Sequence, residues 1–89
     1  MKSATTQAFR RLYSRATKER QLKIRRAFRL WSLDPKHPSL RFKKVHSSMP
    51  IYSARVDLDW RAVGLLKDET MVWFWVGSHQ HYEELLKSM

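Results

Sequence analysis

The chain has no cysteine, two glycines, three prolines and, over its first 46 residues, only two acidic side chains, Glu19 and Asp34. Without cysteine there is no disulfide framework, no Cys-ligated zinc and no thiol nucleophile, so a small extracellular scaffold is disfavoured and a reducing cytoplasm fits best. Nothing resembles a Gly-rich phosphate loop, a Ser-His-Asp arrangement or a paired-carboxylate site. No apolar run approaches the roughly 18 residues that span a bilayer; the longest, Met71 to Val76, is strand-sized, so no membrane association is expected. Eighty-nine residues suffice for one core, and residues 1–89 are read as a single domain without internal repeats.

What is present is a charge asymmetry. Residues 1–46 carry fourteen Lys/Arg against those two acids, a surplus of about +12, whereas residues 47–89 carry four against six. A solvated helix face would normally interleave Glu with Lys at i,i+4, and this one has almost no acid to pair. Clustered cations gain most by displacing counterions from phosphates, so nucleic acid is the first hypothesis for a partner, and a membrane surface is the second, set aside. The Arg-rich, acid-poor N-terminus has the composition of an organellar transit peptide, but its apolar positions continue in helical register and are needed for a core.

Thr5 and Thr6 offer caps to a helix with Phe9, Leu12, Tyr13 and Ala16 at i, i+3, i+4, i+7. After a break near Ala16 to Lys18, the same spacing returns in Gln21, Ile24, Ala27, Phe28 and Trp31 until Asp34-Pro35 ends it. Arg11, Arg15 and Arg26 fall off these stripes, which makes a helical hairpin with a basic outer surface. The aromatic stripe lies at core spacing and reads as core, not as a base-stacking platform. Beyond Pro38 the period changes to 2. Leu40 to Val45 is a short strand or extended loop, and Tyr52 to Val56, Trp60 to Leu66 and Thr70 to Val76 follow as strands of a meander, the last two joined by Lys67-Asp68-Glu69. The last strand, apolar on both faces, is expected to be the most buried. A short helix from about Gln80 to Leu86 closes the chain, with Glu83-Glu84 read as residues near its N-terminus. The fold class is α+β: a helical hairpin packed on a small antiparallel sheet.

Three groups of residues suit chemistry on a polyanion: Arg41, Lys43, Lys44 and His46 before the meander; Arg55 and Arg61 in adjacent strands; and His79, His81 and Tyr82 after Gly77. A strand arginine needs a carboxylate, a phosphate or solvent, and Asp57 or Asp59 in a cross-strand pair is as good a partner for either one as an anion. Taken together with Lys43 and Lys44, the pair favours an anion site. His79 and His81 are too few for a metal centre, and no metal or cofactor is expected. They are better placed as acid–base groups, with the stronger case for His79. Metal-independent RNA cleavage requires a base for the 2′-OH, an acid for the leaving 5′-oxygen and cations for the phosphate, and Lys, Arg, His and Tyr are the types available.

The ordered set Leu-Arg-Phe-Lys-Lys-Val (40–45), Ile-Tyr-Ser-Ala-Arg-Val (51–56), Trp-Arg-Ala-Val (60–63) and Trp-Phe-Trp-Val-Gly-Ser-His-Gln-His-Tyr (73–82), behind a helical hairpin, resembles the RelE/ParE superfamily of type II toxin–antitoxin toxins. The resemblance covers nearly the whole chain. It implies a compact toxin whose sheet carries the active surface and whose cognate antitoxin wraps around it. The family's strand-borne basic positions fall on Arg55 and Arg61, its basic segment on Lys43 and Lys44, its last-strand site on His79 and, more loosely, Tyr82. Lys44 is a further candidate catalytic group; Arg11, Arg15, Arg26, Arg41, Lys43, His46 and His81 are candidate nucleic-acid contacts. Two departures stand out. Many members begin with a β-strand, and here only Met1 to Ala4 precede the helix, leaving that strand short or absent. Where some RNA-cleaving members carry Arg and a more distant Tyr after the glycine, this chain has His-Gln-His-Tyr. The implied function is an mRNA interferase acting on message in the ribosome, with mRNA and rRNA as partners. The alternatives are a non-enzymatic DNA gyrase poison, as in the ParE branch, and an inactive basic RNA-binding module.

Overall fold

A computed structural model describes residues 2–89. In chain order it contains β1 (Lys2–Thr5), α1 (Gln7–Arg15), α2 (Lys18–Leu33), a 3₁₀ turn (Pro38–Leu40), β2 (Lys43–Lys44), β3 (Ile51–Arg55), β4 (Trp60–Lys67), β5 (Thr70–Ser78) and α3 (His79–Ser88). No helix among the described residues is long and apolar enough to cross a membrane.

Both hairpin helices start at a threonine. The Thr6 and Thr17 hydroxyls each accept a bond of 3.1 Å, from the backbone N–H groups of Phe9 and Arg20, a capping contact of about 1 kcal/mol each. Thr5, offered as an alternative cap, belongs instead to β1. Ala16, extended at ψ 157°, separates the two helices.

The strand order is β1-β5-β4-β3-β2. The expected meander runs antiparallel from β2 to β5, but β1 exists and pairs in parallel with the first half of β5, Lys2 opposite Thr70 through Thr5 opposite Trp73. The sheet is therefore mixed. A four-residue strand left little periodicity to read, and its pairing with Thr70–Trp73 is a long-range contact; Met1, part of the stretch read as short or absent, lies outside the described residues. Leu40 to Val45 divides into the end of the 3₁₀ turn and the two-residue β2.

The helical hairpin covers one sheet face. Phe9, Ile24, Ala27 and Trp31 bury against Ala54, Ala62, Met71, Trp73 and Val76. Trp73 is central, with Phe28 at 5.0 Å and Trp31 at 5.4 Å between ring centroids, the latter edge-on. On the other face α3 packs through Tyr82, Leu85 and Leu86 against Ile51, Val63, Phe74 and Trp75. Because both faces of β5 are covered, its apolar run is unbroken, and a bulge sits within it: Gly64 pairs with Trp73 but Val63 pairs with Trp75, so Phe74 is passed over and both Phe74 and Trp75 serve the α3 side. Although β5 is an interior strand over its first half, Val72, Phe74 and Trp75 stay only partly buried, so β5 is buried more completely on the hairpin side than on the other.

Candidate functional site

The α3 side of the sheet carries an open concavity of about 530 Å³, lined by Arg41, Lys43, Lys44, Val45, Ser53, Arg61, His79, Tyr82, Glu83 and Leu86. Register assembles it. Lys43 stands opposite Ser53, Arg55 opposite Arg61, and Arg61 opposite Gly77, one residue before the N-cap of α3. Ser78 caps that helix by accepting from the His81 N–H at 3.2 Å, so α3 starts at His79, one residue earlier than expected. Lys43, Lys44, Arg41, Arg61, His79 and Tyr82, scattered over 42 positions of sequence, thus share one cavity wall.

Arg61 is half-buried, and its Nη1 donates to the backbone carbonyls of Asp57 and Trp60, both at 3.0 Å. The Nε of Arg55 donates to the same Asp57 carbonyl at 3.4 Å. Neither pairs with the Asp57 carboxylate. Arg20, 37 residues earlier in the chain, takes it, with Nη1 at 2.9 and 3.1 Å from the two oxygens and its guanidinium 4.7 Å from the centre of the Trp60 ring. Lys23 adds a longer contact of 3.8 Å. The cross-strand Arg–Asp ion pair, an open reading of the strand arginines, is therefore not formed. Burial, followed by the charges of Arg55 and Arg41, pushes the Arg61 guanidinium below its ordinary pKa, while Tyr82 and Asp57 oppose the shift. It remains a cation at neutral pH, in surroundings that favour an added anion.

His79 is half-exposed at the mouth of the concavity. Its Nε2 lies 3.1 Å from a carboxylate oxygen of Glu83, one helical turn on. A carboxylate at that distance keeps the proton on Nε2 and leaves Nδ1 as the acceptor of the neutral ring. Glu83 therefore sits beyond the first turn and faces a histidine, so it is not the dipole-favoured N-terminal residue expected. Tyr82 is buried, and its hydroxyl donates to Ser53 at 3.1 Å, anchoring α3 to β3 where both residues line the cavity.

Other expected site residues lie apart. Arg55 does not line the concavity, although it flanks Arg61 across the strands. His81 faces a groove on the hairpin side beside Arg15, Arg20 and Trp60, with Nδ1 3.0 Å from the Ser78 hydroxyl. His46 organises the β2–β3 turn, where Nδ1 accepts from the N–H groups of Ser48 and Met49 at 3.2 and 3.0 Å. Arg11, Arg15 and Arg26 are exposed on the hairpin, and none has an acidic partner among the described residues. Ser53, Glu83 and Arg20 were not anticipated. For Glu83 the i,i+4 spacing to His79 was a usable signal; for Ser53, its place among the alternating residues of β3 was a weak one. Nothing in the sequence pointed Arg20 to Asp57.

Residues 18–84 match the family model described as the ParE-like toxin domain. The chain belongs to that family. Among solved structures, this toxin domain is similar to YafQ from E. coli strain BL21(DE3), with a TM-score of 0.73 and 18% identity over 90% of this chain and 94% of that one. It is also similar to a chain of the RelB-RelE antitoxin-toxin complex from Methanococcus jannaschii (TM-score 0.72, 11% identity, 92% and 96% coverage). A YoeB/ParE toxin from Agrobacterium tumefaciens matches with TM-score 0.69 and 19% identity over 89% and 99% of the two chains. At these identities the likeness is one of fold, and it supports the RelE-like architecture of helices on a mixed sheet. No curated protein sequence matches the toxin domain.

Proposed function

We propose that this toxin domain is an mRNA interferase, a metal-independent endoribonuclease that acts on translated message and is neutralised by a cognate antitoxin protein. The observation that carries the reading is Arg61: a half-buried cation without a carboxylate partner, in a basic concavity that also holds His79. In the proposed reaction the ribose 2′-oxygen attacks the adjacent phosphorus and the P–O5′ bond breaks, giving a 2′,3′-cyclic phosphate and a 5′-hydroxyl. Arg61, with Arg41, Lys43 and Lys44 around it, stabilises the charge that builds on the non-bridging oxygens. His79 takes the 2′-OH proton at Nδ1, while Glu83 holds Nε2–H, and gives it to the leaving 5′-oxygen. Tyr82 shapes the wall and keeps α3 in place. The unpaired arginines of the hairpin suit rRNA, and translated message places the activity in the cytoplasm.

The antitoxin follows from the same surface together with the relatives. The RelB-RelE structure from M. jannaschii and the E. coli DinJ-YafQ structure are toxin–antitoxin complexes. A partner that covers the concavity and presents acidic side chains to it has the complementary charge. The match to a ParE-like family favours a second reading, poisoning of DNA gyrase without catalysis.

Mapping RNA 5′ ends after induction, with DNA breaks assayed in parallel, separates the two. New 5′-hydroxyl ends in coding regions within minutes of induction are expected. DNA damage with intact message would replace this reading with gyrase poisoning.

A further inference from the structure

A second basic cavity lies across the sheet edge from the first. Lys23, Arg26, Ala27 and Leu30 of α2 form one wall, Ser39 and Leu40 of the 3₁₀ turn another, and Arg55 to Asp57 the floor, around about 380 Å³. The two cavities meet at two places. Leu40 is buried on the hairpin side while Arg41 enters the sheet concavity, a change of direction made by the left-handed backbone of Arg41 at φ 44°. Arg55 lines the second cavity while standing opposite Arg61 of the first.

Two of the three cations that line this second cavity, Arg26 and Arg55, have no acidic partner among the described residues. The Asp57 carboxylate is held by Arg20 and Lys23. Arg26 has no hydrogen bond or ion pair among the described residues, and Arg55 uses only Nε, so both its Nη groups are unengaged. Two guanidiniums with free donors lining one cleft suit a phosphate.

We propose that this cleft is a second phosphate site, which holds the backbone phosphate flanking the scissile one in a single-stranded RNA, with Arg26 and Arg55 as its ligands. This rests on the ribonuclease reading for its substrate class. It reassigns Arg55 from the cleaved phosphate to its neighbour, and makes the RNA path turn from the sheet concavity over the Arg41 corner towards α2. Binding there adds affinity only when the RNA extends past the cleavage site.

The test uses uncleavable 2′-O-methyl RNA, so that it does not depend on turnover, and inorganic phosphate as a minimal probe. By fluorescence anisotropy, a tetranucleotide should bind the parent more tightly than a dinucleotide, and Arg26→Gln should reduce that ratio roughly tenfold. Arg29→Gln, on the open face of α2, should keep the parental ratio, and Arg26→Lys should restore part of it. In side-chain NMR, phosphate should shift the Arg26 and Arg55 Nε–H signals along one saturation curve, separate from that of Arg61. Equal ratios for parent and Arg26→Gln, or an Arg55 signal that follows Arg61, would overturn the site. Phosphate saturation with no gain from RNA length would overturn its assignment to RNA. A parent that passes both measurements yet cleaves no message would leave the site standing and remove the ribonuclease reading.

Discussion

Arg55 and Arg61 are direct cross-strand partners that both donate to the backbone carbonyl of Asp57, at 3.4 and 3.0 Å, while the carboxylate of that aspartate is bound to Arg20 from the other side. Two like charges thus sit side by side in a sheet, a pairing that costs stability unless an anion joins it. The arrangement separates orientation from neutralisation: a carbonyl aims the guanidiniums, and their charge is left for a ligand.

Replacing Arg61 is expected to abolish function without harming the fold. Arg61→Gln should slow single-turnover cleavage roughly 100-fold or more, with a much smaller effect on RNA affinity. Because the fold disfavours this cation, the melting temperature of the variant should equal or exceed that of the parent. Phosphate should raise the parent's melting temperature and raise the variant's less. A variant that melts earlier and still cleaves at the parental rate would contradict both parts.

The His79–Glu83 contact carries a prediction about rate. His79→Ala should slow single-turnover cleavage roughly 100-fold. Glu83→Gln keeps the histidine but takes away the carboxylate that holds Nε2–H, so the ring is no longer held in one tautomer and cleavage should slow by a smaller factor. Cleavage rates for the three proteins decide it; a parental rate in Glu83→Gln excludes Glu83 as a positioning residue.

Hairpin charge should appear as salt sensitivity. Neutralising Arg11, Arg15 and Arg26 together removes three exposed cations without acidic partners, and should make the slope of log affinity against log salt for single-stranded RNA shallower by about 2. Circular dichroism should show the fold unchanged. Equal slopes would assign these arginines to solubility.

Breaking the Asp57–Arg20 contact should destabilise the fold and disturb the site together. The pair is only partly buried, so Asp57→Ala should cost about 1–2 kcal/mol in urea unfolding, and Arg20→Ala less, since Trp60 and Lys23 remain. A double-mutant cycle measures the coupling, and a value near zero would reduce the pair to a surface contact.

The β4–β5 turn offers a stability gain away from the site. Asp68 and Glu69 occupy a two-residue hairpin connection with φ of 50° and 65°, both in the left-handed region. Such turns favour glycine at the second position, so Glu69→Gly should stabilise the protein by about 1 kcal/mol without altering cleavage. A fall in the unfolding midpoint would show that the Glu69 side chain contributes more than its backbone costs.

Sequence by itself determined the elements whose signals are local. Helix spacing, with threonine before the first helix and Asp34-Pro35 after the second, marked α1 and α2, alternation marked β3 and β4, and the shortage of acids before residue 47 marked a basic surface. It also named Arg41, Lys43, Lys44, Arg61, His79 and Tyr82 of the concavity, through residue type and the family resemblance. Tertiary structure decided what depends on register and distance. The parallel pairing of β1 joins segments almost 70 positions apart, and the bulge at Phe74 sends two consecutive aromatic side chains to one face, which alternation alone cannot express. Which cation takes the Asp57 carboxylate was settled by the approach of α2 to the end of β3, and that choice left Arg61 without one. Likewise His79 and His81, two residues apart and alike in composition, were divided by the start of α3: one faces the concavity, and the other turns to the hairpin side. Residue type and periodicity are written in the chain, but partnership is a matter of geometry between distant segments, and only the packed fold supplies it.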